Sequence, residues 1–291
     1  MIIIRLTGGL GNQLFQYALG KHIALINNSK LYLDLSGLNA TPVRDYELKH
    51  FNIDAEIARK DQIEKVIGSN KYSQKITKII SKYLPYPMKQ YVTEQHSEMF
   101  HYLPGILELR SNVYIDGYWQ NQKYFNNISE IIRKEFTTIE KFSENINEVL
   151  TQIQNTNSIS IHVRRGDYIL PTNIESYQTY GNEYINKAIE YMLKITKDPH
   201  FYFFSDDIKW VKENIPMTHK TTYVSLLNTQ PHEDLILMSK CCNNIIANSS
   251  FSWWAAWLNS NKEKIVIVPK IWLNNPAKNT DDLIPIEWIK L

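Results

Sequence analysis

The strongest constraint on the fold lies in residues 158–269, where short apolar strand patterns alternate with amphipathic helical patterns. Strands are predicted at 158–163, 201–204, 223–226, 244–247 and 264–269. Helices are predicted near 182–194, from about 233, and around the tryptophans Trp253, Trp254 and Trp257. This βαβα order favours a parallel sheet with helices on both faces, the last strand closing the sheet.

The first of these strands runs directly into a charged turn, in the stretch S-I-S-I-H-V-R-R-G-D-Y at 158–168. Arginine carries a permanent charge and a planar fork of donors that fits phosphate oxygens. Ligands of open α/β sheets bind outside the carboxyl ends of the strands. The stretch therefore indicates an anion site, best matched by a diphosphate. The alternative is that one arginine pairs with Asp167 and the other is solvated.

The N-terminus repeats the strand-to-helix pattern. Residues 2–6 predict a buried parallel strand, T-G-G-L-G-N-Q follows at 7–13, and a helix then begins. Backbone N–H groups at such a turn can face an anion or a sugar. The dinucleotide fingerprint needs a third glycine where Leu14 stands, so a tight βα turn without a ligand is the alternative. A strand at Leu31–Leu35 completes a βαβ unit.

Residues 59–91 form a basic segment with eight basic and two acidic residues, a net charge of +6. Its apolar residues fall on one face of a helix. One interpretation is a solvated helix that covers the first domain. The other is contact with an anionic membrane or a phosphorylated acceptor through residues 71–83.

The totals describe an ordinary globular protein. Its 291 residues are 43% hydrophobic, enough for two α/β domains of roughly 150 residues. The net charge of +2 argues against a nucleic-acid partner. The adjacent Cys241 and Cys242 offer neither a disulfide framework nor metal-ligand spacing. Without a secretory signal or an apolar run of about 18 residues, the expected location is the cytoplasm, with a peripheral position on the inner membrane face if the basic helix meets lipid.

Three predicted strand ends of the second half carry polar clusters. They are His162–Asp167, Ser205–Asp207 and Asn248–Ser252. Parallel strands end at the same edge of a sheet, so the clusters are expected to converge there. Arginines supply charge for phosphate, and serines at a helix start supply further donors.

Together these motifs resemble the bacterial α-1,2-fucosyltransferases of glycosyltransferase family 11. The resemblance rests on H-V-R-R-G-D-Y, F-F-S-D-D, N-S-S-F-S-W-W-A-A-W-L, R-L-T-G-G-L-G-N-Q-L-F-Q-Y and D-G-Y-W-Q-N-Q-K-Y-F. It implies an α/β fold of the GT-B type, with two Rossmann-like domains whose parallel sheets face a central cleft. The expected domains are 1–152 on the acceptor side and 153–291 for GDP-fucose. The implied reaction is an inverting transfer to the 2-hydroxyl of a galactoside in a glycan, without metal or other cofactor. The chain contains no D-x-D motif.

The resemblance also assigns roles to residues. Arg164 is expected to stabilise the β-phosphate, and His162 and Asp234 to contact guanine. The remaining donor-binding residues are expected to be Gly9, Gly11, Asn12, Arg165, Asp207, Asn248, Ser249, Ser250, Phe251 and Ser252. The inverting displacement also needs a base for the acceptor hydroxyl. It stays unassigned among Asp34, Asp45, Glu47 and Asp116.

Two alternatives remain open. One is another GT-B nucleotide-sugar transferase, which a donor screen would distinguish. The other is a non-catalytic module that binds a GDP-sugar or glycan, and it predicts GDP binding without turnover. A P-loop nucleotidase is disfavoured because the chain has no G-x-x-x-x-G-K-[ST].

Overall fold

A computed structural model describes residues 1–39, 44–95, 99–166, 180, 182–274 and 280–291. Asp167, the alternative partner of an arginine, lies outside these residues. The chain divides into two compact units, 1–139 with 279–283 and 140–278 with 284–291. The predicted domain boundary at 152/153 falls inside a helix, Glu144–Gln154, of the second unit.

The first unit is built on a five-stranded sheet in which every pairing is parallel. Its strands are β1 (Ile2–Arg5), β2 (Leu31–Asp34), β3 (Glu56–Ile57), β4 (Tyr91–Thr93) and β5 (Val113–Asp116), and its helices are α1 (Leu10–Ile26), α2 (Lys60–Ile67), α3 (Lys71–Tyr83) and α4 (Ser129–Glu135). The order across the sheet is β3-β2-β1-β5-β4. The central β1 is almost wholly buried because both faces are covered, as its run of isoleucines predicts.

The second unit has a six-stranded parallel sheet. Its strands are β6 (Asn157–Val163), β7 (Pro199–Ser205), β8 (Thr221–Tyr223), β9 (Asn243–Ile245), β10 (Val266–Val268) and β11 (Ile289–Lys290), and its helices are α5 (Glu144–Gln154), α6 (Asn182–Ile195), α7 (Ile208–Asn214), α8 (Pro231–Lys240) and α9 (Ser250–Leu258). The order is β11-β10-β9-β6-β7-β8. The predicted α/β class with two Rossmann-like units, each built on a parallel sheet, is thus confirmed.

Three local predictions need correction. The strand expected at 223–226 ends at Tyr223, and a 3₁₀ turn over Val224–Leu227 follows, closed by Asn228 at φ +56°. The basic segment contains two helices rather than one, because Gly68 at φ +104° interrupts it. The sheet is closed by β11 rather than β10, a two-residue strand too short to leave a pattern.

None of the helices in the described part of the chain combines the length and apolar character that crossing a bilayer requires.

Candidate active site

The three polar clusters of the second unit follow strands that are neighbours in the sheet. The relevant order is β9-β6-β7, so the segments after Ile245, Val163 and Ser205 leave the sheet side by side. All of these strands are parallel, so their carboxyl ends share one edge. The predicted convergence is therefore present in the fold.

Arg164 is held at this edge by Asp206. Its Nη1 lies 2.8 Å from Asp206 Oδ2, and both side chains are about one quarter exposed. The other carboxylate oxygen of Asp206 accepts the backbone N–H of Arg165 at 2.9 Å. A Cβ on Gly166 would lie 2.5 Å from Asp206 Oδ2. One carboxylate thus fixes both the guanidinium and the backbone of the turn, which leaves room only for glycine at 166.

Arg165 is directed to a different partner. Its Nε donates to Asp207 Oδ2 at 3.3 Å, and its guanidinium lies 3.9 Å from the centre of the Trp210 ring. Asp207 is also the N-cap of α7, since Oδ1 accepts the backbone N–H of Trp210 at 3.1 Å. The contact between Arg165 and Asp207 therefore links the loop after β6 to the start of α7 and stabilises both.

His162 is buried beneath this loop. Burial first, and then the nearby charge of Arg164, lower its pKa to about 4, so the imidazole is neutral at pH 7. Its Nδ1 has no hydrogen-bond partner among the described residues. A small pocket at this point is lined by His162, Arg164, Tyr180 and Asn248, among others. A buried ring nitrogen without a partner beside a pocket can accept or donate one hydrogen bond to a ligand.

The Asn248–Ser252 segment turns from β9 into α9. Asn248 is buried and its amide donates to Trp272 O at 3.0 Å, which fixes the turn. Ser249 is the N-cap of α9, and its Oγ accepts the backbone N–H of Phe251 at 3.3 Å. The Phe251 ring packs 5.4 Å from the His162 ring, centre to centre. Ser250 begins the helix. The N-terminus of α9 thus adds N–H groups and a positive dipole end to the arginine cluster.

Ser252 and Asp234 have other surroundings. The buried Ser252 hydroxyl donates within its own turn, to Ala247 O and Ser249 O at 3.4 Å each. Asp234 lies in the first turn of α8, where its Oδ1 accepts the Thr229 hydroxyl at 2.5 Å. Burial raises its pKa to about 6. Among the described contacts, Asp234 pairs with Thr229 rather than with the arginine cluster.

In the first unit, the glycine turn precedes α1 as predicted. Gly8 has φ +77°, and a Cβ there would lie 2.3 Å from the side-chain nitrogen of Asn12. Asn12 Oδ1 in turn accepts the Gln120 amide at 2.7 Å. Gly9 is the N-cap of α1, and a Cβ there would meet no atom within 4 Å. Gly11 is buried in the first turn of the helix. The conformational demand for glycine therefore falls on Gly8, which was not among the predicted site residues.

Two of the four candidate bases are already engaged. Asp34 is buried and accepts the Tyr114 hydroxyl at 2.5 Å as well as the backbone N–H and hydroxyl of Ser36 at 2.9 Å. Asp116 Oδ1 lies 3.2 Å from Arg5 Nη1, and Asp116 also accepts the Tyr91 hydroxyl at 3.0 Å. Carboxylates held this way are structural anchors of the strand ends.

The other two lie after the undescribed residues 40–43. Asp45 is exposed, and its backbone carbonyl accepts the Gln13 amide at 2.8 Å. The same Gln13 side chain accepts the backbone N–H of Glu47 at 3.0 Å. Burial raises the pKa of Glu47, and no described residue donates a hydrogen bond to its carboxylate. Gln13 was not predicted, yet it ties both candidates to the glycine turn.

The chain matches a known protein family over its whole length and is similar to individual known proteins. The whole chain, residues 1–291, matches the family model described as Glycosyl transferase family 11. It is 34% identical to an alpha-1,2-colitosyltransferase of Escherichia coli, over 100% of this chain and 99% of that protein. It is 32% identical to the O-antigen biosynthesis glycosyltransferase WbnK of Escherichia coli, over 98% and 99% of the two chains. The crystal structure of the NodZ alpha-1,6-fucosyltransferase soaked with GDP-fucose superposes with a TM-score of 0.49 at 16% identity, covering 88% of this chain and 92% of that one.

Proposed function

Because the chain belongs to glycosyl transferase family 11 over its whole length, we propose that it transfers L-fucose from GDP-β-L-fucose to the 2-hydroxyl of a galactoside, with inversion at the anomeric carbon. The observation that carries the proposal is the cluster at the carboxyl edge of the second sheet. There Arg164, ion-paired at 2.8 Å, follows the strand beside the one that leads into the N-terminus of α9. A guanidinium held in place at such an edge, beside a helix N-terminus, offers donors that suit a diphosphate.

The donor roles follow from the chemistry of each group. Arg164 has five N–H donors, more than the Asp206 carboxylate can accept, so a phosphate can share the guanidinium. The Ser249 hydroxyl accepts from the helix backbone and keeps its proton for a phosphate oxygen. The ionised carboxylate of Asp234 can accept both N1–H and the amino group of guanine, while His162 offers its unpartnered nitrogen.

The transfer step separates charge. The acceptor oxygen attacks the anomeric carbon of fucose, the bond from that carbon to the phosphate oxygen breaks, and its electron pair leaves with GDP. Arg164 and the N-terminus of α9 stabilise the negative charge that develops on the β-phosphate. Because these groups are already held by Asp206 and the helix, little reorganisation is needed during the reaction.

Among the four candidate bases, we propose Glu47 as the general base that accepts the proton of the acceptor hydroxyl. Its carboxylate accepts no hydrogen bond from the described residues, and its pKa is raised by burial. A general base works best when its pKa approaches the operating pH. Asp34 and Asp116, by contrast, are each held by two residues, Tyr114 and Ser36 for Asp34 and Arg5 and Tyr91 for Asp116, and these contacts would have to break.

Metal independence is part of the same proposal. The Arg164 guanidinium and the N-terminus of α9 replace the divalent cation that many nucleotide-sugar transferases place on the diphosphate, and the chain has no D-x-D. Activity in excess EDTA is therefore expected to equal that in magnesium. A loss of activity with EDTA, reversed when a divalent ion is added, would overturn the proposed metal independence.

Both cysteines are free thiols, and the proposed place of reaction is the reducing cytoplasm.

A second donor has specific support. The 34% identity to a colitosyltransferase makes GDP-linked colitose, which lacks the 3-hydroxyl of fucose, the main competitor. A pocket that hydrogen-bonds this hydroxyl rejects the deoxy sugar strongly, whereas a pocket that does not will accept both.

The test is a donor panel of GDP-fucose, GDP-colitose, GDP-mannose and UDP-galactose with a β-galactoside acceptor, read by mass spectrometry. The proposal predicts transfer from GDP-fucose, with kcat/KM at least about tenfold above that for the other donors. Preference for GDP-colitose would correct the sugar and keep the mechanism. GDP binding without transfer or donor hydrolysis would support the non-catalytic module.

A further inference from the structure

Helix α3 turns its polar side toward the protein. Ser81 is buried, and its hydroxyl accepts the backbone N–H groups of Gln90 and Tyr91 at 3.3 and 3.1 Å, at the start of β4. Ser73, Gln74 and Thr77, which lie on the same side, are half-buried. An ordinary surface helix does the opposite and buries its apolar stripe against the core.

The outward side of α3 consequently carries large apolar residues. Tyr72 is 82% exposed and Ile76 is 56% exposed. The complete set is Tyr72, Ile76, Ile79, Ile80 and Tyr83, each at least half exposed. At about 100° per residue these five side chains occupy an arc of about 100°. A contiguous exposed apolar strip of this kind marks an interaction surface rather than ordinary surface variation.

A row of lysines borders the strip. Lys71, Lys75, Lys78 and Lys82 fall within an arc of about 60° next to it. No acidic residue occurs from Lys71 to Tyr91. The exposed surface of α3 therefore combines an apolar face with undiluted positive charge. This is the pattern of a helix that lies in the interface of an anionic bilayer.

We propose that α3 docks the protein on a membrane surface that contains anionic phospholipid. The helix lies parallel to the bilayer, the isoleucines and tyrosines enter the headgroup boundary, and the lysines meet lipid phosphates. Its 13 residues span about 20 Å, enough for an interfacial helix and too short to cross. A second copy of the chain is disfavoured as the occupant, because each copy would bring four lysines and no acid to the contact.

The experiment measures co-sedimentation of the full-length protein with two kinds of vesicle, pure phosphatidylcholine and phosphatidylcholine mixed with phosphatidylglycerol. Binding is expected to the anionic vesicles only, and to weaken as salt increases. Replacing Lys71, Lys75, Lys78 and Lys82 by Gln should reduce the affinity about 10²- to 10³-fold, since each interfacial lysine contributes roughly fivefold and the four factors multiply.

The matched control removes the same charge elsewhere. The second unit carries four exposed lysines, Lys194, Lys197, Lys220 and Lys240. Their replacement by Gln should leave vesicle affinity within about twofold of the unaltered protein.

The double variant Ile76→Gln with Ile80→Gln tests the apolar strip. Both side chains are exposed, so the variant should fold, which circular dichroism checks, and should also lose vesicle binding.

Three results would overturn the proposal: no binding of the unaltered protein to anionic vesicles, equal loss in the control variant, or full binding by the isoleucine variant. A dimer in size-exclusion chromatography that the isoleucine variant abolishes would instead assign the strip to self-association. The strip shares no residue with the proposed transfer site, so vesicle binding and transfer to a soluble galactoside can fail separately.

Discussion

Arg164 and Asp206 are joined across two neighbouring strand ends by an ion pair of 2.8 Å. Because Asp206 also holds the backbone N–H of Arg165 at 2.9 Å, the position of the guanidinium is set before any donor arrives. Preorganisation of this kind concentrates the effect of a charge on the transition state.

The two arginines are therefore expected to respond differently to substitution. Arg164→Lys keeps the charge but loses the fork of donors, and kcat should fall about 10²- to 10³-fold. GDP affinity should fall as well, because the product carries the same charge. Arg165→Lys should lower the melting temperature through its lost contact with Trp210, with a smaller effect on kcat. Steady-state kinetics on both variants, with circular dichroism to confirm folding, makes the comparison. Retention of more than about one third of turnover by Arg164→Lys, with Arg165→Lys inactive, would exchange the roles.

Donor binding should depend on pH through Asp234. Its pKa is about 6, and only the ionised form can accept both guanine donors. Affinity should thus be about tenfold weaker at pH 5 than at pH 7.5. Calorimetry should use GDP-fucose, whose doubly esterified diphosphate does not titrate in this range. His162 stays neutral there, with a pKa of about 4. Asp234→Asn is the control, and should bind weakly and without this pH dependence. A wild-type affinity that stays constant from pH 7.5 to 5 would remove Asp234 from the guanine site.

The buried carboxylate of Asp234 should also destabilise the folded protein when no ligand is bound. Burial raises the folded pKa above the unfolded value, so the folded state binds the proton more tightly between about pH 4 and 6. Stability from this group is lost as the pH rises through that window. Asp234→Asn is therefore expected to raise the melting temperature at pH 7 while it lowers GDP affinity. A lower melting temperature at pH 7 would show that the hydrogen bond from the Thr229 hydroxyl outweighs the cost of burying the charge.

The glycine turn offers a paired test. Gly8→Ala must place a methyl group 2.3 Å from Asn12 at a positive φ, and should cost at least about 1–2 kcal/mol of stability. Displacement of Asn12 should also lower kcat/KM. Gly9→Ala meets open space at an ordinary φ of −77°, and its folding should be unchanged. Thermal melts of both variants distinguish them, and equal melting temperatures would contradict the described turn.

Glu47 is separated from the other base candidates by neutral substitutions. Glu47→Gln should lower kcat about 10²- to 10⁴-fold with little change in donor affinity, because it removes a proton acceptor and no phosphate contact. Asp34→Asn and Asp116→Asn should instead lower the melting temperature, since their carboxylates hold hydroxyls and, for Asp116, Arg5. Full turnover by Glu47→Gln would exclude it as the base.

Much of the donor edge could be predicted because each part is local in sequence. The strand before Arg164, the serine turn before α9 and the glycine turn before α1 all show in short residue patterns. The sequence places Asp206 in the polar cluster Ser205–Asp207 but does not indicate a functional role for it. Its pairing with Arg164 depends on strand register between segments about 40 residues apart, which no local pattern records.

The orientation of α3 shows a different limit. The sequence shows that Tyr72, Ile76 and their neighbours share a face, but periodicity does not say which face meets the protein. Burying the apolar side would be the usual outcome. In the structure the apolar side faces outward instead, because the Ser81 hydroxyl on the polar side accepts backbone N–H groups at the start of β4.

The strands β3 and β11 were not predicted, because two residues are too few to show an alternating or apolar pattern.

The measurement that bears most directly on the central claim is the structure of the product formed from GDP-fucose and a β-galactoside. Nuclear magnetic resonance should show one new fucose in α-linkage, from the small anomeric coupling, and a glycosylation shift at carbon 2 of galactose. An unchanged acceptor, a β-linked sugar or a shift at another carbon of galactose would contradict inverting transfer to the 2-hydroxyl.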